Sequence, residues 1–294
     1  MSDFIGTKLT MNLGERSYDI IIKRGSLENL YQFARLDRRV AVVTDSGVPA
    51  QYAQMVADQC KDAVIITVPQ GEASKSFKIL ESVLRQMLDF GMGRGDLVVA
   101  VGGGVVGDLA GFAAAIYMRG IDFINCPTTT LSMIDSSIGG KTAVDLGDTK
   151  NIVGAFWQPK LVIVDPDTLS TLPRRHFING LAEAVKASLL ADPELFAIFE
   201  KDDVDARIGE IICRSLRFKK TIVEQDETEQ GMRKALNFGH TIGHGIEAVK
   251  GVKGRRTTGL FHGECVALGM LPMIESKALQ KRVRGVYRRL GLPT

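Results

Sequence analysis

The chain has 294 residues, room for one large domain or two of ordinary size. Apolar residues make up 45% and charged residues 24%, ordinary globular usage that excludes disorder and fibrous repeats. Lys+Arg 37 against Asp+Glu 34 leaves a net charge of +3, which argues against a nucleic-acid partner.

The first residues, MSDFIGTKLT, carry Asp3 and lack an apolar run, so no secretory signal is expected. KLTMNL and YDIIIKRG flank GERS and predict a short hairpin. RRVAVVTD (38–45) and DAVIITVP (62–69) are β-branched runs closed by turn residues, with helix-like PAQYAQMVADQC between them. From Ser74 onward Phe77, Leu80, Val83, Leu84, Met87 and Leu88 recur at helical spacing. The stretch Leu97–Met118 is apolar with only Asp108 charged, almost enough for a membrane span. Its central glycines instead predict strand, tight turn and buried helix. DFINCP (122–127) and KLVIVDP (160–166) supply further strands. Strands alternating with helices predict a mostly parallel, Rossmann-like α/β half over 1–170. Beyond Pro173 strand-like runs cease, and an all-α half over 171–294 is expected from GLAEAVKASLL, ELFAIFE, IGEIICRSLRFKKTIV and GECVALGMLPMIESKAL. The basic run KRVRGVYRR (281–289) reads as a solvated helix face. Cys60, Cys126, Cys213 and Cys265 are widely spaced without a C-x-x-C pair, as in a reduced, cytoplasmic protein.

Three features carry chemistry. GGGVVGD (102–108) contains G-x-G-x-x-G as Gly102, Gly104 and Gly107 between a strand and a helix, a context suited to a nucleotide phosphate. The usual ribose-binding acid is missing from the end of the next strand, where PTTT stands, so this is not the standard dinucleotide fingerprint; Thr128 and Thr129 could supply hydroxyls instead. Second, His240, His244 and His262 cluster in the sequence, with His240 and His244 one helical turn apart. FHGEC brings His262 after a polar loop, VKGVKGRRTTGL. Two histidines and one carboxylate would make a catalytic zinc site, the carboxylate being Glu183, Glu247 or Glu264. Third, Asp135, Lys141, Lys150 and Asn151 fall in a Gly-rich polar segment, and Glu183 and Lys186 sit at i and i+3. Glu229, Arg233 and Asn237 continue a helical face toward His240, and Arg119 follows the glycine-loop helix. Together these predict an anion pocket beside a metal.

PQGEASKSF, GGGVVGDLAGFAAAIYMRG, PTTTLSMIDSSIGGKTAVD, KNIVGAFWQP, TLPRRHFINGLAEAVK, LNFGHTIGHGIEA and FHGECVALGM, in this order, closely resemble the 3-dehydroquinate synthase family of sugar-phosphate cyclases. The resemblance implies a nucleotide-binding α/β domain, a helical metal- and substrate-binding domain, NAD, a divalent metal (zinc, with cobalt as the alternative) and a homodimer. By motif, Glu183, His240 and His262 would be the metal ligands and His244 an active-site residue. Substrate contacts would be Arg119, Asp135, Lys141, Asn151, Lys186, Lys219, Arg233 and Asn237, with Glu229 nearby. Nucleotide contacts would be Asp45, Glu72, Lys75, Gly103, Gly104, Asp108, Thr128, Thr129, Lys150 and Thr171. The implied reaction converts 3-deoxy-arabino-heptulosonate 7-phosphate to 3-dehydroquinate and phosphate, the second step of the shikimate pathway, with NAD recycled. Another sugar-phosphate cyclase, or an NAD- and metal-dependent polyol or alcohol dehydrogenase, is the rival reading. The chain departs from the family at His176, where Glu is common, and its helical half is expected to lack the family's C-terminal end with a late lysine.

Overall fold

The computed structural model describes residues 6–249 and 259–294. The start of the chain, read above for a signal, and most of the polar loop at 249–260 lie outside the described residues. The chain separates into two compact units, one ending at Thr171 and the other running Leu172–Thr294.

In the first unit β1 (Thr7–Met11) and β2 (Tyr18–Ile22) form the expected antiparallel hairpin. Next come β3 (Arg39–Asp45), α1 (Ala50–Ala57), β4 (Asp62–Val68), α2 (Phe77–Asp89) and β5 (Leu97–Gly102). They are followed by α3 (Gly104–Ile116), β6 (Asp122–Pro127), a β7–β8 hairpin (Lys141–Leu146, Thr149–Phe156) and β9 (Leu161–Val164). The main sheet has seven strands in the order β1-β2-β9-β6-β5-β3-β4, parallel from β2 onward. Alternation along each strand splits the core between two faces. Ala41, Val43, Val98 and Ala100 pack with Val106, Leu109 and Phe112 of α3, whereas Val40, Val42, Val99 and Val101 pack with Tyr52 and Val56 of α1. Chain direction reverses between β3, which leads out to β4, and β5, which leads the other way to β6. The carboxyl ends of those two strands are therefore the topological switch point, where open α/β sheets take ligands. Asp45 and the Gly102–Gly104 turn lie there.

The Leu97–Met118 stretch divides into β5, the glycine turn and α3, and no described helix is long and apolar enough to cross a membrane. α3 begins earlier than its apolar run suggests, at Gly104, so the glycines form its first turn. The segment 134–151 is not simply a polar loop. A π-helical turn (Ser132–Ser136) leads into the β7–β8 hairpin, and Ile134, Ile138 and Val144 are buried. Glycine allows that hairpin to form and to dock: a Cβ on Gly154 would lie 2.0 Å from the Thr142 carbonyl oxygen, and one on Gly111 of α3 2.5 Å from the Thr142 methyl.

The second unit contains α4 (Arg174–Ala191), α5 (Pro193–Lys201), α6 (Ile208–Gln225), α7 (His240–Ala248), α8 (His262–Met270) and α9 (Lys277–Leu290), with no strand among the described residues. Asp192 caps α5 through the Leu195 amide at 2.9 Å, with Pro193 at the first helical position. GECVALGMLPMIESKAL is two helices rather than one, because Pro272 follows α8 and Ser276 starts α9 afresh. The basic face of α9 is partly tethered, Arg282 pairing with Glu200 at 2.7 Å, while Val283, Val286, Tyr287 and Leu290 enter the core. Glu229, Arg233 and Asn237 do not extend the α7 helix. Glu229 has φ 63°, Met232–Asn237 is a 3-10 turn, and Gly239 in left-handed conformation separates it from His240.

Candidate active site

In the α/β unit the nucleotide candidates surround the switch point. The Asp45 carboxylate accepts the Gly47 and Val48 amides at 2.7 and 3.2 Å, turning the chain after β3. The loop after β6 presses on the glycine turn. Thr128 N–H donates to the Gly102 carbonyl at 2.9 Å, and a Cβ on Gly103 would stand 3.1 Å from the Thr129 methyl. Thr129 and Ser132 share a hydroxyl hydrogen bond of 2.8 Å, and Thr171 bonds the Tyr52 hydroxyl at 3.0 Å. The buried Lys75 ammonium meets Asp108 at 2.8 Å, Glu72 at 3.7 Å and the Asn151 side-chain oxygen, which ties four of the predicted residues into one network. Asn151 is held from behind by its amide bond to Asp145 at 2.8 Å, while the Asp145 amide donates to the Lys75 carbonyl at 2.7 Å. Asp135 lies in the π-helical turn, Lys141 opens β7, and Lys150 is exposed on β8.

Met118, Arg119, Asn151 and Glu229 are the non-glycine residues with positive φ among those described, and three of the four are predicted substrate residues. Such conformations cost free energy and persist where a side chain must point in one direction.

The helical unit assembles the histidines through close helix packing. A Cβ on Gly269 of α8 would fall 2.1 Å from the Gly239 carbonyl oxygen, and one on Gly243 of α7 would stand 3.1 Å from the backbone of Cys265 and Val266. The two short helices thus touch backbone to backbone and bring His240, His244 and His262 into a group whose ligand atoms lie within 4.8 Å of one another. Glu183 reaches the same group from α4. Its Oε1 is 3.5 Å from His240 Nε2 and 3.8 Å from His262 Nε2.

The three candidate carboxylates have different surroundings. Glu264 is taken up by Arg175 at 2.8 Å and by the Phe261 amide at 2.9 Å. Glu247 faces His262 Nδ1 at 3.2 Å, the outer hydrogen bond that fixes a ligating imidazole. Glu183 is 2% exposed, pairs through Oε2 with Lys186, and has no hydrogen-bond donor to Oε1 among the described residues. A buried carboxylate oxygen left without a partner costs free energy, and a cation among the imidazoles would relieve it. One carboxylate with histidine nitrogens is a donor set suited to zinc or cobalt, so the residues present fit a divalent metal.

Around this group Lys186 donates to the Leu236 carbonyl at 2.7 Å, and Asn237 to Glu229 at 3.3 Å. Arg233 is almost wholly buried and donates to the Glu227 carbonyl, and Lys219 is buried on α6. Sequence reasoning missed Tyr287, whose buried hydroxyl has no partner among the described residues. Burial and the Glu183 charge push this phenol upward from its ordinary value.

A sheet with its switch point at a glycine turn, and a carboxylate–imidazole group whose donors suit a divalent metal, are the parts expected of an enzyme that uses a nucleotide and a metal. The family model for the N-terminal part of 3-dehydroquinate synthase matches residues 65–179, and that for its C-terminal part residues 180–289. The 3-dehydroquinate synthase of Pelobacter propionicus is 45% identical, over 97% of this chain and 84% of that protein. Among solved structures, 2-deoxy-scyllo-inosose synthase, complexed with carbaglucose-6-phosphate, NAD+ and Co2+, superposes with a TM-score of 0.86 at 26% identity, covering 98% of this chain and 84% of that one. The 2-epi-5-epi-valiolone synthase of Streptomyces hygroscopicus, with NAD+ and Zn2+ bound, gives a TM-score of 0.83 at 30% identity, covering 96% and 82%. The chain belongs to the 3-dehydroquinate synthase family. It is an enzyme of the phosphorus–oxygen lyase class, forming 3-dehydroquinate and phosphate from the heptulosonate phosphate.

Proposed function

We propose that the two units divide this reaction between them, with NAD bound by the α/β unit and a divalent metal by the helical unit. The observation that carries the reading is buried Glu183, its unpartnered oxygen facing His240 and His262. Glu183, His240 and His262 hold the metal, and His244, exposed and within the same cluster, serves proton transfer. A metal held by Glu183, His240 and His262 would supply polarisation of neighbouring substrate hydroxyls, and NAD held by the α/β unit would supply a reversible hydride acceptor, so that phosphate loss would carry no net redox change.

The chain's own part is orientation and charge. The residues assigned to the phosphate, carboxylate and hydroxyls of the substrate are Arg119, Asp135, Lys141, Asn151, Lys186, Lys219, Arg233 and Asn237, with Glu229 nearby. Buried cations hold such anions more strongly than exposed ones, and Lys186, Lys219 and Arg233 are all buried. Asp45, Glu72, Lys75, Gly103, Gly104, Asp108, Thr128, Thr129, Lys150 and Thr171 form the nucleotide site. Four free cysteines support a cytoplasmic enzyme, and the family reading supports a homodimer.

The test is phosphate release from the heptulosonate phosphate with NAD and zinc, with and without chelator. Release that needs metal and accumulates no NADH is expected. NADH accumulating with a simple alcohol would instead indicate the dehydrogenase rival, and absence of release from folded, metal-loaded protein would overturn the assignment.

A further inference from the structure

Helix α8 is only half capped by its own residues: the Glu264 carboxylate accepts the Phe261 amide at 2.9 Å, but the reciprocal acceptor is missing. Its N-cap is Phe261, whose side chain offers no acceptor to the first-turn amides, although the first helical residue is His262. The missing acceptor comes from α4: Asn179 Oδ1 accepts the Glu264 amide at 3.3 Å. One turn earlier on α4, Arg175 grips the same helix start. Its Nε and a terminal nitrogen bind the two Glu264 oxygens at 3.0 and 2.8 Å, and the terminal nitrogen also donates to the Gly259 carbonyl at 2.6 Å. Its guanidinium carbon stands 3.9 Å from the centre of the Phe261 ring, and the His176 imidazole stacks on that ring at 4.6 Å and 20°.

Arg174, Arg175 and His176 occupy the first turn of α4, where the helix dipole disfavours cations. Helix stability alone gives no reason for this placement. The spacing does: Arg175, Asn179 and Glu183 are i, i+4 and i+8, one stripe of α4. The first two fix the beginning of α8 and the third faces its His262. A Cβ on Gly263 would lie 2.0 Å from the Asn179 carbonyl oxygen, so the helices meet here without space to slide.

We infer that Arg175 and Asn179 are positioning residues for the metal site: they set the separation between Glu183 and His262 by capping α8 from α4. The inference rests on the proposed metal site and adds what holds it in register. Arg175 acts as a planar fork, which a lysine cannot reproduce.

The test uses the full chain. Zinc affinity is measured by chelator competition, and the visible absorption of the Co2+-substituted protein reports ligand geometry. Arg175→Gln and Asn179→Ala are expected to raise the zinc dissociation constant about 10- to 100-fold, the range for lost outer contacts, and to alter the cobalt spectrum. Arg175→Lys should fall between wild type and Arg175→Gln. A merely structural role would lower the melting temperature and leave the cobalt spectrum unchanged, which would overturn the inference. Should Arg175→Gln fail to fold, Asn179→Ala carries the test alone. Wild-type protein that binds no zinc sinks the metal site and this inference with it, whereas equal affinity in wild type and Asn179→Ala overturns only the inference.

Discussion

The two units hold their functional residues by opposite means. In the α/β unit the residues stand at strand ends and on loops, and the charges answer one another: Lys75 is met by Asp108, Glu72 and Asn151. In the helical unit Glu183, Lys186, Lys219 and Arg233 are buried within or beside helices, and Glu183 is left incompletely satisfied. The first site thus partners its buried cation within the fold, while the second leaves one buried carboxylate oxygen, on Glu183, that a cation can meet.

The sharpest test of this contrast is His240→Ala. Metal stoichiometry should fall to zero and activity by about a thousandfold or more, as the loss of several kcal/mol of metal assistance implies. Trp157, the sole tryptophan, lies in the α/β unit with its indole N–H on the Ile121 carbonyl at 3.0 Å, and its fluorescence should stay unchanged. Retained metal would contradict the ligand assignment.

The converse change is Gly154→Ala, which forces a methyl group against the Thr142 carbonyl. We expect about 3 kcal/mol lost from the α/β unit, read as a lower urea midpoint with unchanged slope, and zinc binding by the helical unit preserved. Asn151→Gly should act more subtly. It relieves a left-handed backbone by about 1 kcal/mol yet removes one of the three partners of Lys75, so NAD affinity should fall even where stability does not. An unchanged NAD dissociation constant would remove Asn151 from the nucleotide network.

The smallest effect concerns His176. Burial and then the neighbouring Arg175 charge lower its pKa from 6.5. Its neutral form is the folded one, so its contribution is full above pH 6.5 and is lost as pH falls through the lowered folded value. His176→Gln should flatten this limb of the stability–pH curve by less than about 1 kcal/mol; an unaltered curve would show that the stack tolerates a charged ring.

The strands of the main sheet were legible because parallel strands buried on both faces are written as β-branched runs, as in Val40–Val43 and Val98–Val101. The β7–β8 hairpin was not. Its exposed face and the Asp145, Gly147, Asp148 and Lys150 around its turn mask the alternation, and its docking depends on glycines at 111 and 154 that no local pattern explains. The break between α8 and α9 is readable at Pro272, which interrupts the apolar run, and at Ser276, which caps α9. The three histidines were evident from spacing, but the choice among Glu183, Glu247 and Glu264 depends on which helices meet, which is tertiary information. One local signal does mark Glu183: Arg175, Asn179 and Glu183 recur every fourth residue in a helix otherwise rich in alanine and apolar side chains.

The borrowed cap of α8 has a consequence for how the helical unit opens. A helix that supplies its own cap can fray and re-form by itself, whereas the first turn of α8 loses its acceptor as soon as α4 moves away. Amide exchange at Glu264 should then follow the opening of α4 rather than the fraying of a nine-residue helix, making the two segments one cooperative unit.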